Sequence, residues 1–209
     1  MHDRKPDIPD PRIYNIRDTL LAGEGYLPPL PGPPRDRTHA AVSVIFRARE
    51  ELELLLIKRA EVEGDPWSGH MAFPGGRWSP SDPTLRDTAI RETLEETGLR
   101  LDTKGVDLGR LPPLEPNTFR LPPISIFPFV FGVPPGVSAR VASREVDDIH
   151  WTPVAPLLAG DASATTAIDL GDTTRDFPCF EVEGQAVWGL TYRILASFFG
   201  LIRAGGSEL

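Results

Sequence analysis

The sequence has little cysteine, few basic residues and no long apolar run. Cys179 is the only cysteine, so neither an intramolecular disulfide nor a multi-cysteine zinc site can form, and a reducing, cytoplasmic setting is expected. The longest apolar runs, Ile124 to Val133 and Ile194 to Ile202, fall well short of the ~20 residues that a membrane-spanning helix needs. No membrane partner is expected. Between Met1 and Arg12 lie Asp3, Arg4, Lys5, Asp7 and Asp10 with three prolines, which leaves no stretch for an export signal. Only 22 Lys and Arg stand against 30 Asp and Glu, a net charge of −8. That balance speaks against a protein built mainly to neutralise a nucleic-acid backbone.

What is present suits a soluble globular chain: 209 residues, 40% hydrophobic and 25% charged. Gly at 19 and Pro at 23 make about a fifth of the chain, enough to mark frequent turns without abolishing a fold. Ile13, Ile16, Leu20 and Leu21 recur at near-helical spacing, so a short amphipathic helix is expected over 13–22. Five prolines between Leu27 and Pro34 then fix an extended backbone that cannot pair inside a sheet. The boundary falls near Arg37, giving a helix and proline-rich arm over 1–37 and one domain over 38–209. In that domain, strands are read at 41–46 and 52–57 as a hairpin, then at 123–133, 148–153, 179–182 and 186–188. A closing helix is read over 190–204, before Gly205 and Gly206. Strands interleaved with helices imply an α/β class, with a mixed sheet held between helices.

The chemistry concentrates on one predicted helix. Asp82 before Pro83 suits an N-cap followed by a first-turn proline, and Gly98 suits the left-handed C-terminal stop. Over 84–97, Glu92, Glu95 and Glu96 stand at i, i+3 and i+4, within one arc of the helix, while Ile90 and Leu94 fall opposite as candidate anchors. Three like charges so placed repel unless a cation lies among them, and magnesium takes hard oxygen ligands of this kind. A bare pair of glutamates is more often a solvated face. The context matters here: Phe73-Pro74-Gly75-Gly76-Arg77 turns through two glycines whose backbone can approach a metal or phosphate closely.

Gly76, followed at a distance by Arg91-Glu92-Thr93-Leu94-Glu95-Glu96-Thr97-Gly98-Leu99, resembles the signature of the Nudix hydrolases. The stretch from Gly76 to Arg91 is one residue longer than the common pattern, Asp82 stands about where its first Glu is expected, and Thr93 replaces an apolar residue. The resemblance implies a Nudix-type α/β/α sandwich. It also implies a magnesium or manganese ion held by Glu92, Glu95, Glu96 and the Gly76 carbonyl, with Arg91 orienting the carboxylates. The reaction implied is water attack on the pyrophosphate of a small nucleotide-type substrate. Leu55-Leu56-Ile57-Lys58-Arg59-Ala60 and Trp188-Gly189-Leu190-Thr191 resemble the coenzyme A pyrophosphatase branch, whose expected Arg is missing from 61–67. That branch implies cleavage of coenzyme A to 3′-phospho-AMP and 4′-phosphopantetheine.

Lys58, Arg59 and Arg77 are candidates for phosphate binding, with surface ion pairing the plainer reading of Lys58. Trp67 and His70 could stack on a base and bond a phosphate, or plug the core and cap a strand. Trp188 reads as core. The proton acceptor is Glu92 or a later carboxylate among Glu115, Glu145, Asp147 and Asp148, of which Glu145 is favoured because it leads into the strand that reaches Trp151. ADP-ribose or nucleotide-sugar cleavage, and a nucleotide sensor without turnover, are the alternative functions. A homodimer is a family-level expectation.

Overall fold

The computed structural model describes residues 6, 8–23, 30, 37–63, 68–116, 123–169, 173–206 and 209. The proline run therefore lies outside the described residues, apart from Leu30. In chain order the elements are α1 (Pro11–Gly23), β1 (Thr38–Ala48), β2 (Leu52–Arg59), β3 (Met71–Ala72), β4 (Gly75–Arg77), α2 (Leu85–Thr97), α3 (Leu101–Lys104), β5 (Val106–Arg110), β6 (Ile124–Val133), β7 (Val146–Pro153), α4 (Val154–Ala159), β8 (Ser163–Asp169), β9 (Thr174–Val182), β10 (Gln185–Trp188) and α5 (Gly189–Ala204).

A seven-stranded mixed sheet forms the middle layer. β1 and β6 pair in parallel from Thr38/Ile124 to Arg47/Val133, and both are buried along almost their whole length. Burial on both faces is why these strands read as continuous apolar runs. On one face Ala41, Ile45, Leu55, Phe127, Phe129 and Phe131 pack with Leu85 and Ala89 of α2. On the other, Val44, Phe46, Leu54 and Leu56 pack with Ile13, Ile16 and Leu20 of α1 and with Ile194, Phe198, Phe199 and Ile202 of α5. The result is the expected α/β/α sandwich with a mixed sheet. A separate three-stranded sheet, β10-β9-β8, stands beside it. Among the described residues no helix is long and apolar enough to cross a membrane.

The hairpin of β1 and β2 pairs only at its tip, Phe46–Ala48 with Leu52–Leu54. Past Phe46 the strands part. β4 pairs with β1 at Ala40–Val42, β3 pairs with β2 at Ile57 and Lys58, and β7 pairs along the other edge of β2 from Glu53 to Arg59. The segment Phe73-Pro74 spans the gap so formed, and α2 lies above it, where Gly75 N–H bonds to Glu96 of that helix.

Two details of α2 differ from the sequence reading. Its N-cap is Thr84, whose hydroxyl accepts the Asp87 N–H at 3.2 Å, because Asp82 is already engaged with Arg91 and Thr88. Its buried side carries Ala89, Thr93 and Glu96, while Leu94 is 41% exposed, so Ile90 and Leu94 are not the principal anchors. The C-terminal stop is Gly98, at φ 66°.

Candidate active site

Thr93, the polar residue at an expected apolar position, is fully buried. Its hydroxyl bonds to Ser43 on β1 at 2.8 Å and to the Ala89 carbonyl at 2.7 Å, which satisfies both polar groups inside the core. This contact docks α2 on β1 and sets the carboxylates one and three residues away over the Gly75-Gly76 turn.

Glu96 is 4% exposed, and its Oε2 accepts the Gly75 N–H at 2.9 Å. Burial pushes its carboxyl up to about 8, opposed by the Gly75 hydrogen bond and reinforced by the charge of Glu92. Glu92 is also pushed up, chiefly by burial, with Arg91 opposing and the charges of Glu95 and Glu145 adding to the rise. Gly76 sits under Glu92 so closely that a Cβ there would lie 2.4 Å from the carboxyl carbon. A side chain at that position would have to push the Glu92 carboxyl aside.

Arg91 ties the cluster together. Its Nε and Nη2 donate to the two oxygens of Asp82, each at 2.9 Å, and its Nη1 donates to Glu92 at 2.8 Å and to Glu95 at 3.2 Å. Nη2 also reaches the Arg77 carbonyl at 3.3 Å. Asp82, 6% exposed, is held well below the usual carboxylate range, first by Arg91 and then by the Thr88 hydroxyl and the Ser79 N–H. The guanidinium is thus anchored at one end by Asp82 and offers its other end to the glutamates.

Among the sequence candidates, Gly76, Glu92 and Glu96 are brought together, with Glu145 close enough for its charge to act on both carboxylates and Arg59 close enough to act on Glu96. The Glu145 carbonyl accepts the Ala60 N–H at 2.8 Å, which fixes its loop beside the end of β2. Glu95 stays near through Arg91, but its side chain is 55% exposed. The Lys58 ammonium is turned to Asp147 at 3.8 Å, and the Arg77 side chain is exposed. His70 packs edge-on against Trp188, with ring centroids 4.8 Å apart. Trp67 lies outside the described residues. Of the other carboxylates considered as proton acceptors, Glu115 pairs with Arg37 and Ser125, and Asp148 lies 3.7 Å from His150. Sequence reasoning missed the role of Asp82 and the Gly75 N–H, since both contacts join residues that no helical spacing relates.

Among the described residues no three His, Cys, Asp or Glu side chains form a ready-made metal cluster. The residues present still fit a magnesium-like ion: two carboxylates crowded out of water, a third beside them, and a glycine turn with no side chain in the way. Such ions keep several waters and need only a few carboxylates, the remaining positions going to substrate oxygens.

A model of the NUDIX domain matches residues 37–170. The uncharacterised Nudix hydrolase NudL of Yersinia enterocolitica is 31% identical over 157 residues, 75% of this chain and 77% of that one. Human mitochondrial coenzyme A diphosphatase NUDT8 is 30% identical over 187 residues, 81% of this chain and 77% of that one. An uncharacterised protein of Schizosaccharomyces pombe is 32% identical over 66% of this chain, a match that spans about half, 48%, of its own length. A MutT/nudix family protein of Enterococcus faecalis shares the fold at TM-score 0.53 and 15% identity, covering 96% of this chain and 75% of that one. The MutT protein of Methanosarcina mazei does so at TM-score 0.51 and 18% identity, over 84% and 100%.

Proposed function

The chain belongs to the Nudix hydrolase family, and on that premise we propose that it cleaves the pyrophosphate bond of a nucleoside diphosphate derivative in a magnesium- or manganese-dependent reaction. The proposed substrate is coenzyme A or its thioesters, giving 3′-phospho-AMP and 4′-phosphopantetheine. The observation that carries the reading is the pair Glu92 and Glu96, both raised by burial, set over Gly75-Gly76 beside Glu145. Two carboxylates drawn out of water, with the charge of one acting on the other, are costly to keep ionised, and a divalent ion with a phosphate removes that cost.

Glu92, Glu96 and the Gly76 carbonyl would hold the ion, with Glu95 within reach through its tie to Arg91. When bound, the ion would screen phosphate oxygens and acidify a water. Arg91, locked to Asp82, keeps Glu92 aimed and holds its negative charge in place. Glu145 takes the proton of the attacking water, since it borders both raised carboxylates from a separate loop. Arg59, whose charge reaches Glu96, binds a substrate phosphate oxygen, and Arg77 contributes from the rim. The coenzyme A assignment is supported by the human relative, a coenzyme A diphosphatase, and by the Trp188-Gly189-Leu190-Thr191 stretch.

The test is a panel of coenzyme A, ADP-ribose, a nucleotide sugar, a dinucleoside polyphosphate and an oxidised nucleoside triphosphate, each with magnesium or manganese. Coenzyme A is expected to have the highest kcat/KM, with phosphopantetheine and 3′-phospho-AMP as products. Preferred turnover of ADP-ribose or a nucleotide sugar would move the substrate and keep the chemistry. Tight nucleotide binding by folded protein without any turnover would replace the enzyme with a sensor.

A further inference from the structure

The stretch Trp188-Gly189-Leu190-Thr191 has a geometry that the diphosphate chemistry does not use. Gly189, at φ 63°, turns the end of β10 into the first residue of α5, a backbone conformation that a side chain would strain. Two residues on, the buried Thr191 hydroxyl donates to the Met71 carbonyl of β3 at 3.0 Å. This bond fastens the start of α5 to the strand that leads into the Phe73-Pro74-Gly75-Gly76 turn. With both held, the Trp188 ring is set edge-on to His70 at 4.8 Å and tilted against Phe177 of β9 at 5.5 Å.

His70 joins these rings to the active site. The register that pairs Ile57 with Ala72 and Lys58 with Met71 sets Arg59 opposite His70, and the Arg59 N–H donates to the His70 carbonyl at 3.0 Å. Arg59 is the cation whose charge acts on Glu96. The three rings therefore lie at the end of β2 that carries Arg59, and His70 directly precedes β3, the short strand that leads into the Gly75-Gly76 turn. All three rings are half-buried, so they are neither sealed in the core nor fully in water. Half-exposed rings next to a phosphate-binding cation suit a ligand with a flat, apolar, π-faced end and an anionic middle.

We propose that Trp188, flanked by His70 and Phe177, is the seat on which the aromatic base of the substrate stacks. The inference rests on the hydrolase reading for the position of the diphosphate, and it replaces the reading of Trp188 as core with a binding role. The base lies on the rings at the His70 end of β3, and the group transferred to water's oxygen is set by the distance between the seat and the carboxylates. Base-free diphosphates would then lack this anchor.

Calorimetry with AMP, UMP and ribose 5-phosphate, in magnesium and with full-length protein, tests this without turnover, because none of the three carries a diphosphate. Wild type should bind AMP at least about ten-fold tighter than ribose 5-phosphate, as expected for a stacked base. Trp188→Ala should bring AMP close to ribose 5-phosphate and leave ribose 5-phosphate itself unchanged, while Trp188→Phe should restore AMP to within about three-fold of wild type. Should Trp188→Ala fail to fold, as judged by its melting transition, Phe177→Ala serves instead, with AMP weakened and ribose 5-phosphate unmoved. Equal affinity of wild type for AMP and ribose 5-phosphate, equal losses for both ligands in the variants, or no loss for either would each overturn the proposal. Base-dependent binding that follows Trp188 in a protein that hydrolyses no diphosphate would keep the seat and remove the hydrolase.

Discussion

Glu96 carries two opposed demands, and they can be separated by pH. Its carboxyl is raised to about 8 in the folded chain from an ordinary 4.5, so folding favours the protonated form. Stability from this group is full below the ordinary carboxylate range and is lost as pH rises through its folded value. Asp82 has the opposite sign: held low by Arg91, it contributes above the ordinary range and loses that contribution as pH falls. Metal-free protein should therefore melt highest at about pH 5 to 6 and several degrees lower at about pH 8.5. Manganese, which favours the ionised carboxylate, should raise the melting point most at the alkaline end. A flat profile between these pH values in chelator-treated protein would contradict the burial assigned to Glu96. Glu96→Gln keeps an acceptor for the Gly75 N–H and removes the buried charge, so its melting point should equal or exceed that of wild type at pH 8. Its turnover should fall by roughly 100-fold or more, the scale seen when a metal's surroundings are disturbed. Loss of rate together with loss of fold would mean that Glu96 serves only packing.

The helix that bears these carboxylates was legible in the sequence, because i, i+3, i+4 spacing and a glycine stop are local signals. Its start was not. Asp82 and Thr84 are both competent caps, and the choice was made by Arg91, nine residues beyond Asp82, which takes both carboxylate oxygens. Thr84 is then left to cap the helix, reinforced by its own hydrogen bond to Asp87 at 2.7 Å. The two roles predict different failures. Thr84→Ala should cost about 1 kcal/mol and lower the melting point by roughly 2 to 4 °C, with kcat unchanged. Asp82→Ala should lower kcat by roughly ten-fold or more, since Arg91 loses the partner that aims it at Glu92 and Glu95. An equal loss of stability with unchanged kcat in both would return Asp82 to the cap. The strands show the same division between local and distant causes. β1, β2 and β6 announced themselves by apolar runs, whereas β3 and β4 hold two and three residues, too few for any period, and exist only because β1 and β2 diverge and leave edges to pair. β8, Ser163–Asp169, carries Ile168 as its only large apolar residue, and is defined instead by its register with β9 from Ser163/Phe180 to Asp169/Thr174.

At the scale of the molecule, the segment matched by the family model, residues 37–170, omits both helices that cover one face of the sheet. The sequence suggested a division near Arg37, with the first helix grouped with the proline run in an arm. In the structure Ile8, Ile13, Ile16 and Leu20 are each 2% exposed or less and share a core with Val44, Phe46, Leu54, Leu56, Phe198 and Phe199. Fully burying each such aliphatic side chain contributes about 1.5 to 3 kcal/mol. Four of them therefore contribute about 6 to 12 kcal/mol, comparable with the whole stability of a typical domain, about 5 to 15 kcal/mol. Removing residues 1–36 would also uncover partners such as Leu108 and Val130 on the sheet. The expected outcome for a 37–209 fragment is an aggregating or molten chain without a cooperative thermal transition, even though every candidate metal ligand and Arg91 are retained. Point changes should separate the cause: Ile16→Ala, well inside α1, should cost about 2 to 5 kcal/mol, whereas Leu21→Ala, at a position 47% exposed, should cost little. A 37–209 fragment that melts cooperatively within a few degrees of the full chain, and hydrolyses the same diphosphate, would show α1 to be an appendage whose packing the domain does not need.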